Sequence, residues 1–367
     1  MSAMDAAPFR ISSDPKTLKN RQNNKQTQRW PCHPPESMKI ALITDTHFGA
    51  RGDSALFQKY FMEFYDDIFF PYLENNDIST VIHLGDVTDR RKFINYNILD
   101  GLNSGFINRI KKYDSYFIIG NHDVYYKNTN RINSMEQLFG DRFKTYTEAS
   151  TVNIDGTDIC FLPWINSDNY DHTLKHIKKT KAKVALGHLE ISGFEMMRGV
   201  KCESGTMDMK NFKKFDLVCS GHFHHKSHNG NIHYLGTPYE LTWQDCNSTR
   251  GFHIFDTETF EMEHITNPHK MFHKIYYDES EKVLTNQYKN KYVKLIVKNK
   301  TDQYKFDLLI DEFYKNEVAD LSIVDDAMDV DFDSQSEIDT TEDTMSLLTN
   351  YIDNYEIDVD KNKLKGI

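Results

Sequence analysis

The sequence predicts an α/β protein in which two packed sheets are flanked by outer helices, an α/β/β/α arrangement, and three observations carry that expectation. From Met38 to about Asn267, short β-branched runs alternate with helix-length stretches. The early runs each end in a polar cluster, and in open α/β sheets it is at the carboxyl ends of strands that ligands gather. The later runs IHYLGT, GFHIFD and FEMEHIT follow one another closely, with Asp256-Thr257-Glu258-Thr259 as a turn, which reads as antiparallel.

Taken in order, residues 1–37 are polar, with six Lys or Arg against three Asp or Glu, and are expected to be a disordered basic extension. The main domain is expected over 38–270. Its strand KIALIT runs into Asp45, VIHL into Gly85-Asp86, YFII into Gly120-Asn121-His122-Asp123, VAL into Gly187-His188 and LVCS into Gly221-His222. Leu56 to Leu73, Tyr96 to Lys112 and Tyr170 to Lys179 have helical periodicity. A small C-terminal α+β domain, 271–318, follows, with YVKLIVK as a strand and Gln303 to Glu317 as a helix. Residues 319–343 are expected to be an acidic linker, and 344–367 a tail whose helix, Thr344 to Tyr355, carries Met345, Leu348 and Ile352 on one face. With no core of its own to bury that face, the tail helix is expected to dock onto a partner.

Composition narrows the function. The chain has 367 residues with 39% hydrophobic and 13% aromatic content, enough for a sizeable core. No run of about 18 apolar residues occurs, and no apolar stretch of the kind a secretory signal needs, so a cytoplasmic protein without membrane contact is expected. Five cysteines without a CxxC pair argue against a disulfide framework or a thiolate zinc site. The net charge of −11 arises in the tail: 14 acidic and no basic residues lie between Asp320 and Asp360, leaving +3 on the remainder. Nucleic acid therefore stays open as a ligand.

The strand-end clusters carry the chemistry. They supply two carboxylates (Asp45, Asp86), one amide (Asn121) and four imidazoles (His47, His188, His222, His224), with His122 beside them. Nitrogen and oxygen ligation without sulfur suits Mn²⁺, Fe²⁺ or Zn²⁺ better than Ca²⁺, and seven ligands are too many for one ion. Two ions sharing a carboxylate, about 3.5–4 Å apart, generate hydroxide at neutral pH and stabilise an in-line phosphoryl displacement. The histidines His83, His172, His176, His225 and His253 are read as ordinary core or surface residues.

The five motifs, in this order from Asp45 to His224, resemble the calcineurin-like metallophosphoesterase superfamily. The segments GHLEISGFEMMRG (187–199) and YLGTPYELTWQDCNSTRGFHIFDTET (234–259) are similar to the nuclease subunit of SbcCD-type DNA double-strand-break complexes, and especially to the recombination endonuclease subunit of T-even-like tailed phages. The resemblance implies a two-sheet α/β/β/α metallophosphoesterase core with a small cap domain. It implies that Asp45, His47, Asp86 and His224 hold one divalent ion, and that Asp86, Asn121, His188 and His222 hold the other. His122 would be the general acid that protonates the leaving oxygen, oriented by Asp123. The ions expected are Mn²⁺, with Mg²⁺ or Fe²⁺ as alternatives. The activity implied is a 3′→5′ exonuclease and endonuclease on single- and double-stranded DNA ends. It would work with an SbcC-like coiled-coil ATPase, as a homodimer joined near Ser54 to Tyr65 and Tyr96 to Ile110, in the host cytoplasm if phage-encoded.

Two departures bear on this. Asp89 stands where archaeal and eukaryotic relatives have a second catalytic histidine. GDVTDR (85–90) also resembles a protein-phosphatase stretch whose arginine grips phosphate, so a small-substrate phosphodiesterase or phosphatase is the alternative. For DNA, cations are needed around the site. Arg90, Arg91 and Lys92 follow Asp86, Lys127 and Arg131 follow Asp123, and Arg198 and Lys201 follow His188; these are the expected phosphate contacts. Tyr125 and Tyr126 are candidates to stack on a base or simply to pack.

Overall fold

Alternation along the first strand sets the layering. In the computed structural model, which describes residues 38–197 and 200–325, Lys39–Ile43 points Ile40 and Leu42 into one apolar layer and Ala41 and Ile43 into another, all four buried. A strand buried on both faces belongs inside a covered sheet. It lies in a six-stranded sheet of spatial order Met262–Asn267, Arg250–Asp256, Lys39–Ile43, Thr80–His83, Asp114–Ile118, Lys144–Tyr146. The last four are mutually parallel. Arg250–Asp256 joins antiparallel and returns as Met262–Asn267 around the expected turn, closed by the Phe260 N–H on the Asp256 carbonyl.

The second six-stranded sheet runs Ser227–Asn229, Ile232–Tyr234, Leu217–Gly221, Val184–His188, Thr157–Leu162, Ser150–Ile154. Its inner four strands are parallel and its two edges antiparallel. IHYLGT, expected to be antiparallel, is thus parallel to Leu217–Gly221 and antiparallel only to its edge neighbour; a strand of three paired residues carries too little pattern to give its direction. The Ser150–Leu162 hairpin is absent from the sequence reading although its turn, Asp155-Gly156, has positive φ at both residues, as an Asp-Gly hairpin turn requires.

Between the sheets, Ile40, Leu42, Ile82 and Ile118 meet Ile159, Phe161, Val184 and Leu186. The outer face of the first sheet is covered by helical runs over 55–75 and 96–110, which contribute Phe57, Phe61, Phe64, Phe69, Leu102 and Phe106. Ser54 caps the first run by accepting from the Phe57 N–H, and a π-turn at Tyr65–Phe69 precedes Pro71, which has no N–H for the ladder. Tyr170–Lys179 covers the second sheet through Ile177. The layering is α/β/β/α, as the sequence predicts.

Phe272–Asp278, Tyr292–Asn299 and Asp320–Asp325 form a parallel three-stranded sheet. Together with Gln303–Lys315 it has its own core of Tyr277, Val293, Leu295, Phe306 and Phe313. Here the expected linker starts too early: 320–325 is a strand, because Leu321, Ile323 and Val324 supply β-branched and apolar side chains that pair with Tyr292–Asn299 before the acidic run dominates. The expected N-terminal extension, Arg198, the rest of the linker and the tail helix with Met345, Leu348 and Ile352 lie outside the described residues.

Candidate metal centre

Five strand ends meet at one edge of the sandwich. Four residues there, Asp45, His47, Asp86 and His222, have φ of 51°, 41°, 57° and 89°. Left-handed backbone at non-glycine residues costs about 1–3 kcal/mol each and concentrates at functional sites. Close approach explains two glycines: a Cβ on Gly120 would collide with Asp86 Oδ1, and one on Gly85 would lie 2.6 Å from His188 Nδ1.

The side chains form two groups around Asp86. In the first, His47 Nε2 lies 3.8 Å from Asp45 Oδ1, 3.8 Å from Asp86 Oδ2 and 3.1 Å from His224 Nε2, while His224 Nε2 lies 3.9 Å from Asp45 Oδ1. In the second, His188 Nε2 is 3.2 Å from Asp86 Oδ2 and 2.9 Å from Asn121 Oδ1, and His222 Nδ1 is 2.9 Å from that same amide oxygen. Asp45, His47, Asp86, Asn121 and His188 are buried, and His222 and His224 are partly exposed. The structure thus brings all seven sequence-predicted ligands together, with Asp86 common to both groups.

The donor set fits cations. His188 Nδ1 is 2.8 Å from the Leu84 carbonyl, so in the neutral ring its N–H is spent there and Nε2 presents a lone pair to two oxygens. His47 Nδ1 lies 3.3 Å from Asp89 Oδ1, which likewise leaves Nε2 as a lone pair facing two carboxylates and a second imidazole. With His47 and His188 in these tautomers, lone pairs and carboxylate oxygens face one another, an arrangement that a cation between them would satisfy. Burial pushes the Asp86 carboxyl up, but His188, His122 and His47 outweigh it and hold the group well below its ordinary range. Burial likewise opposes a charged His188, yet Asp86 raises its pKa to about 9.

His122 is half-buried at the mouth. Its backbone N–H donates to Asp86 Oδ1 at 2.7 Å, and its Nδ1 lies 2.5 Å from the Asp89 carbonyl, leaving Nε2 for a substrate. The expected orienting residue, Asp123, is not its partner, which corrects the sequence reading. The Asp123 carboxylate instead accepts from the backbone N–H groups of Asp86, Val87, Thr88 and Gly120, and from Ser134 Oγ. The physical reason is local: the chain turns sharply after Gly120, so consecutive side chains point apart and Asp123 ties down the 85–88 loop. Burial and the nearby Asp86 charge raise Asp123 to about 6 against those bonds.

Several participants escaped the sequence reading. The Trp164 ring packs 5.1 Å from His222 and 6.2 Å from His188, centroid to centroid. Glu190 is 3.9 Å from His222 Nε2; that contact and the Thr206 hydrogen bonds hold its carboxyl down, to about 2, against burial. Arg250, 2% exposed, donates to the His224 carbonyl, Thr237 Oγ1, His225 Nδ1 and Asp245 Oδ1. His225, read as an ordinary histidine, is therefore part of the loop's support and lines the same cavity as Asp86, Asn121, His122, His222 and His224. Asp245 and Arg250, the two charged residues of 241–252, were the available signal.

Among the expected phosphate contacts, Arg90 is ion-paired with Asp53 at 2.7 Å. Arg91 lies in a cleft beside Thr88, and Lys92, Lys127, Arg131 and Lys201 are exposed.

Comparison with known proteins adds to this. Residues 38–226 match the calcineurin-like phosphoesterase family. Exonuclease subunit 1 of Enterobacteria phage T4 is 33% identical over 268 residues, covering 71% of this chain and 77% of the phage protein. The SbcD subunit of the SbcCD nuclease of Staphylococcus epidermidis is 29% identical over 92 residues, 23% of this chain and 25% of that protein. A solved novel archaeal phosphodiesterase aligns with 63% of this chain and 100% of its own at 13% identity, with a TM-score of 0.30, too low to carry an argument.

Proposed function

Because the chain belongs to the calcineurin-like phosphoesterase family and is a metal-dependent phosphodiesterase, we propose that it is a Mn²⁺-dependent nuclease acting on DNA ends. The observation that carries the chemistry is the convergence of seven nitrogen and oxygen ligands around one shared carboxylate, with the Nε2 of His122 left over. The likeness to a phage exonuclease subunit over most of the chain supports DNA as the substrate.

In this reading Asp45, His47, Asp86 and His224 hold one divalent ion, and Asp86, Asn121, His188 and His222 the other; such a pair lowers the pKa of water and neutralises phosphate charge. His122 keeps Nδ1 on the Asp89 carbonyl and delivers a proton from Nε2 to the departing 3′-oxygen. Trp164 closes one side of the two histidines and limits access of bulk water. The 3′→5′ exonuclease and endonuclease modes, the SbcC-like ATPase docked by Met345, Leu348 and Ile352, a homodimer and a cytoplasmic location complete the proposal. No described helix is long and apolar enough to cross a membrane.

The alternative, a small-substrate phosphodiesterase or phosphatase, leaned on Arg90 as a phosphate grip, and its pairing with Asp53 argues against that role. The test is cleavage of end-labelled duplex and single-stranded DNA in Mn²⁺ and Mg²⁺. Mn²⁺-dependent cleavage that falls about 10²–10⁴-fold in His122→Ala at unchanged metal stoichiometry is expected. Intact DNA beside a hydrolysed nitrophenyl phosphodiester would point to the alternative.

A further inference from the structure

A second concavity lies beside the metal centre. Its cavity volume is about 130 Å³, and its walls include Thr88, Arg90, Phe93, Tyr125, Asn133 and Gln137. That is smaller than the roughly 300–1,000 Å³ of a drug-sized ligand's pocket and leaves no room for a duplex. We propose that it receives one unpaired nucleobase of the strand whose phosphate lies at the metal centre, so that single-stranded or frayed ends are preferred over intact duplex. The inference rests on the DNA-nuclease reading and names the form of DNA it takes.

The first argument is position. Thr88 lines the cleft, and its N–H shares the Asp123 carboxylate with the N–H of Asp86. At most about 14 Å of chain separates Asp86 from Arg90, so the cleft is within one or two nucleotides of the phosphate. No lining residue is common to this cleft and the cavity over the metal centre, so both can be filled by successive parts of one strand.

The second argument is the chemistry of the walls. Phe93 is 57% exposed and Tyr125 38% exposed, large rings that a core would otherwise cover. The Arg90 guanidinium, fixed by Asp53, lies 5.0 Å from the Phe93 centroid, and the Lys92 ammonium lies 6.0 Å from that of Tyr125. Tyr126 meets Tyr125 edge-to-face at 4.7 Å, bracing the ring at a fixed angle. Exposed rings braced by neighbouring cations are a means by which proteins hold single strands without reading sequence, since every base has a π-face. Gln137 is exposed at the rim and offers an amide to a base edge. A paired base within a duplex presents no free face, and extrusion from the stack carries its own cost.

The test uses the full-length metal-loaded protein and two otherwise identical end-labelled single strands, one with abasic residues at the two positions next to the scissile phosphate. Stacking on one ring changes affinity by about 5- to 150-fold. The abasic strand should therefore lose at least about 5-fold in kcat/KM with the parent, and Tyr125→Leu should lose a comparable factor on the intact strand. The two losses should not multiply when combined. Gln137→Leu, an exposed change that leaves the core untouched, should show the same non-additivity to a smaller degree. Equal losses by the variants on intact and abasic strands overturn the proposal, as does a variant that changes only the oligomeric state in sedimentation. If the parent cleaves no DNA but hydrolyses a nitrophenyl phosphodiester, the nuclease reading fails and this inference with it; failure of the non-additivity alone leaves that reading standing.

Discussion

The main-chain carbonyl of Asp89 lies 2.5 Å from Nδ1 of His122, while the carboxylate of the same residue lies 3.3 Å from Nδ1 of His47. One residue thus orients the candidate acid through its backbone and a candidate ligand through its side chain. Burial raises the Asp89 carboxyl, but the His47 hydrogen bond and the charges around it hold it below its ordinary range, so it stays ionised against the imidazole. Asp89→Asn keeps the carbonyl and removes only the charge. It should weaken binding of one ion by about 10- to 100-fold, the usual effect of losing a ligand's outer partner. Calorimetric metal titration reads the affinity, and cleavage should recover at saturating Mn²⁺. A kcat that stays low at saturation would mean that Asp89 itself handles a proton.

Asp123 gives a different expectation from the one its place in GNHD suggests. Its two oxygens satisfy four backbone N–H groups of the 85–88 loop and Gly120. Each buried donor left unpaired costs about 1–3 kcal/mol. Asp123→Ala should therefore lower stability by about 3 kcal/mol or more and lose bound metal, seen as an earlier urea midpoint and a substoichiometric ion content. A stable, fully loaded but inactive variant would restore the direct role on His122.

Arg250 is buried and ties the loop that carries His222 and His224, through the His224 carbonyl and the His225 ring, to Thr237, Asp245 and Ser248. Lysine preserves the charge but cannot span that fan. Breaking a buried pair by removing one partner costs about 3–5 kcal/mol, and Arg250→Lys leaves part of that loss on Asp245. The variant should melt earlier and bind the ion on His224 more weakly, while sites on His188 and Asp86 fill first. Electron paramagnetic resonance of added Mn²⁺ distinguishes one-ion from two-ion loading; normal paired loading would remove Arg250 from the site's support.

Much of this centre was legible because strand ends in an α/β sandwich are local in sequence and common in space. Asp45, Asp86, Asn121, His188 and His222 each follow an apolar run directly, so pattern and chemistry coincided. What stayed hidden depends on direction or distance. Whether Asp123 or Asp89 faces His122 is decided by the turn after Gly120, which no periodicity encodes. Arg250 meets His224 across 26 residues, and Trp164 meets His188 and His222 from another strand end, contacts that only the packing of the two sheets creates. The start of the expected linker failed for the opposite reason. Its acidic composition masked 320–325, whose apolar side chains are enough to add a strand to an existing sheet.

Histidine burial away from the centre sets an acid limit on stability. Burial is the main cause that pushes His253 down to about 3, with His264, Lys226 and His233 adding to it, and burial pushes His264 down to about 4. Their rings meet at 4.8 Å on the paired strands of the first sheet. Both are neutral in the fold below the pH at which the unfolded chain takes up protons, near 6.5. The stability is therefore whole above about pH 6.5 and drains away as the pH falls toward 4 and then 3. For His253 alone the loss at pH 5 is about 2 kcal/mol. His253→Leu removes the ring whose protonation is at issue, so its urea midpoint should fall less between pH 7.5 and pH 5 than the parent's. Parallel declines in the two proteins would show that another group sets the acid limit.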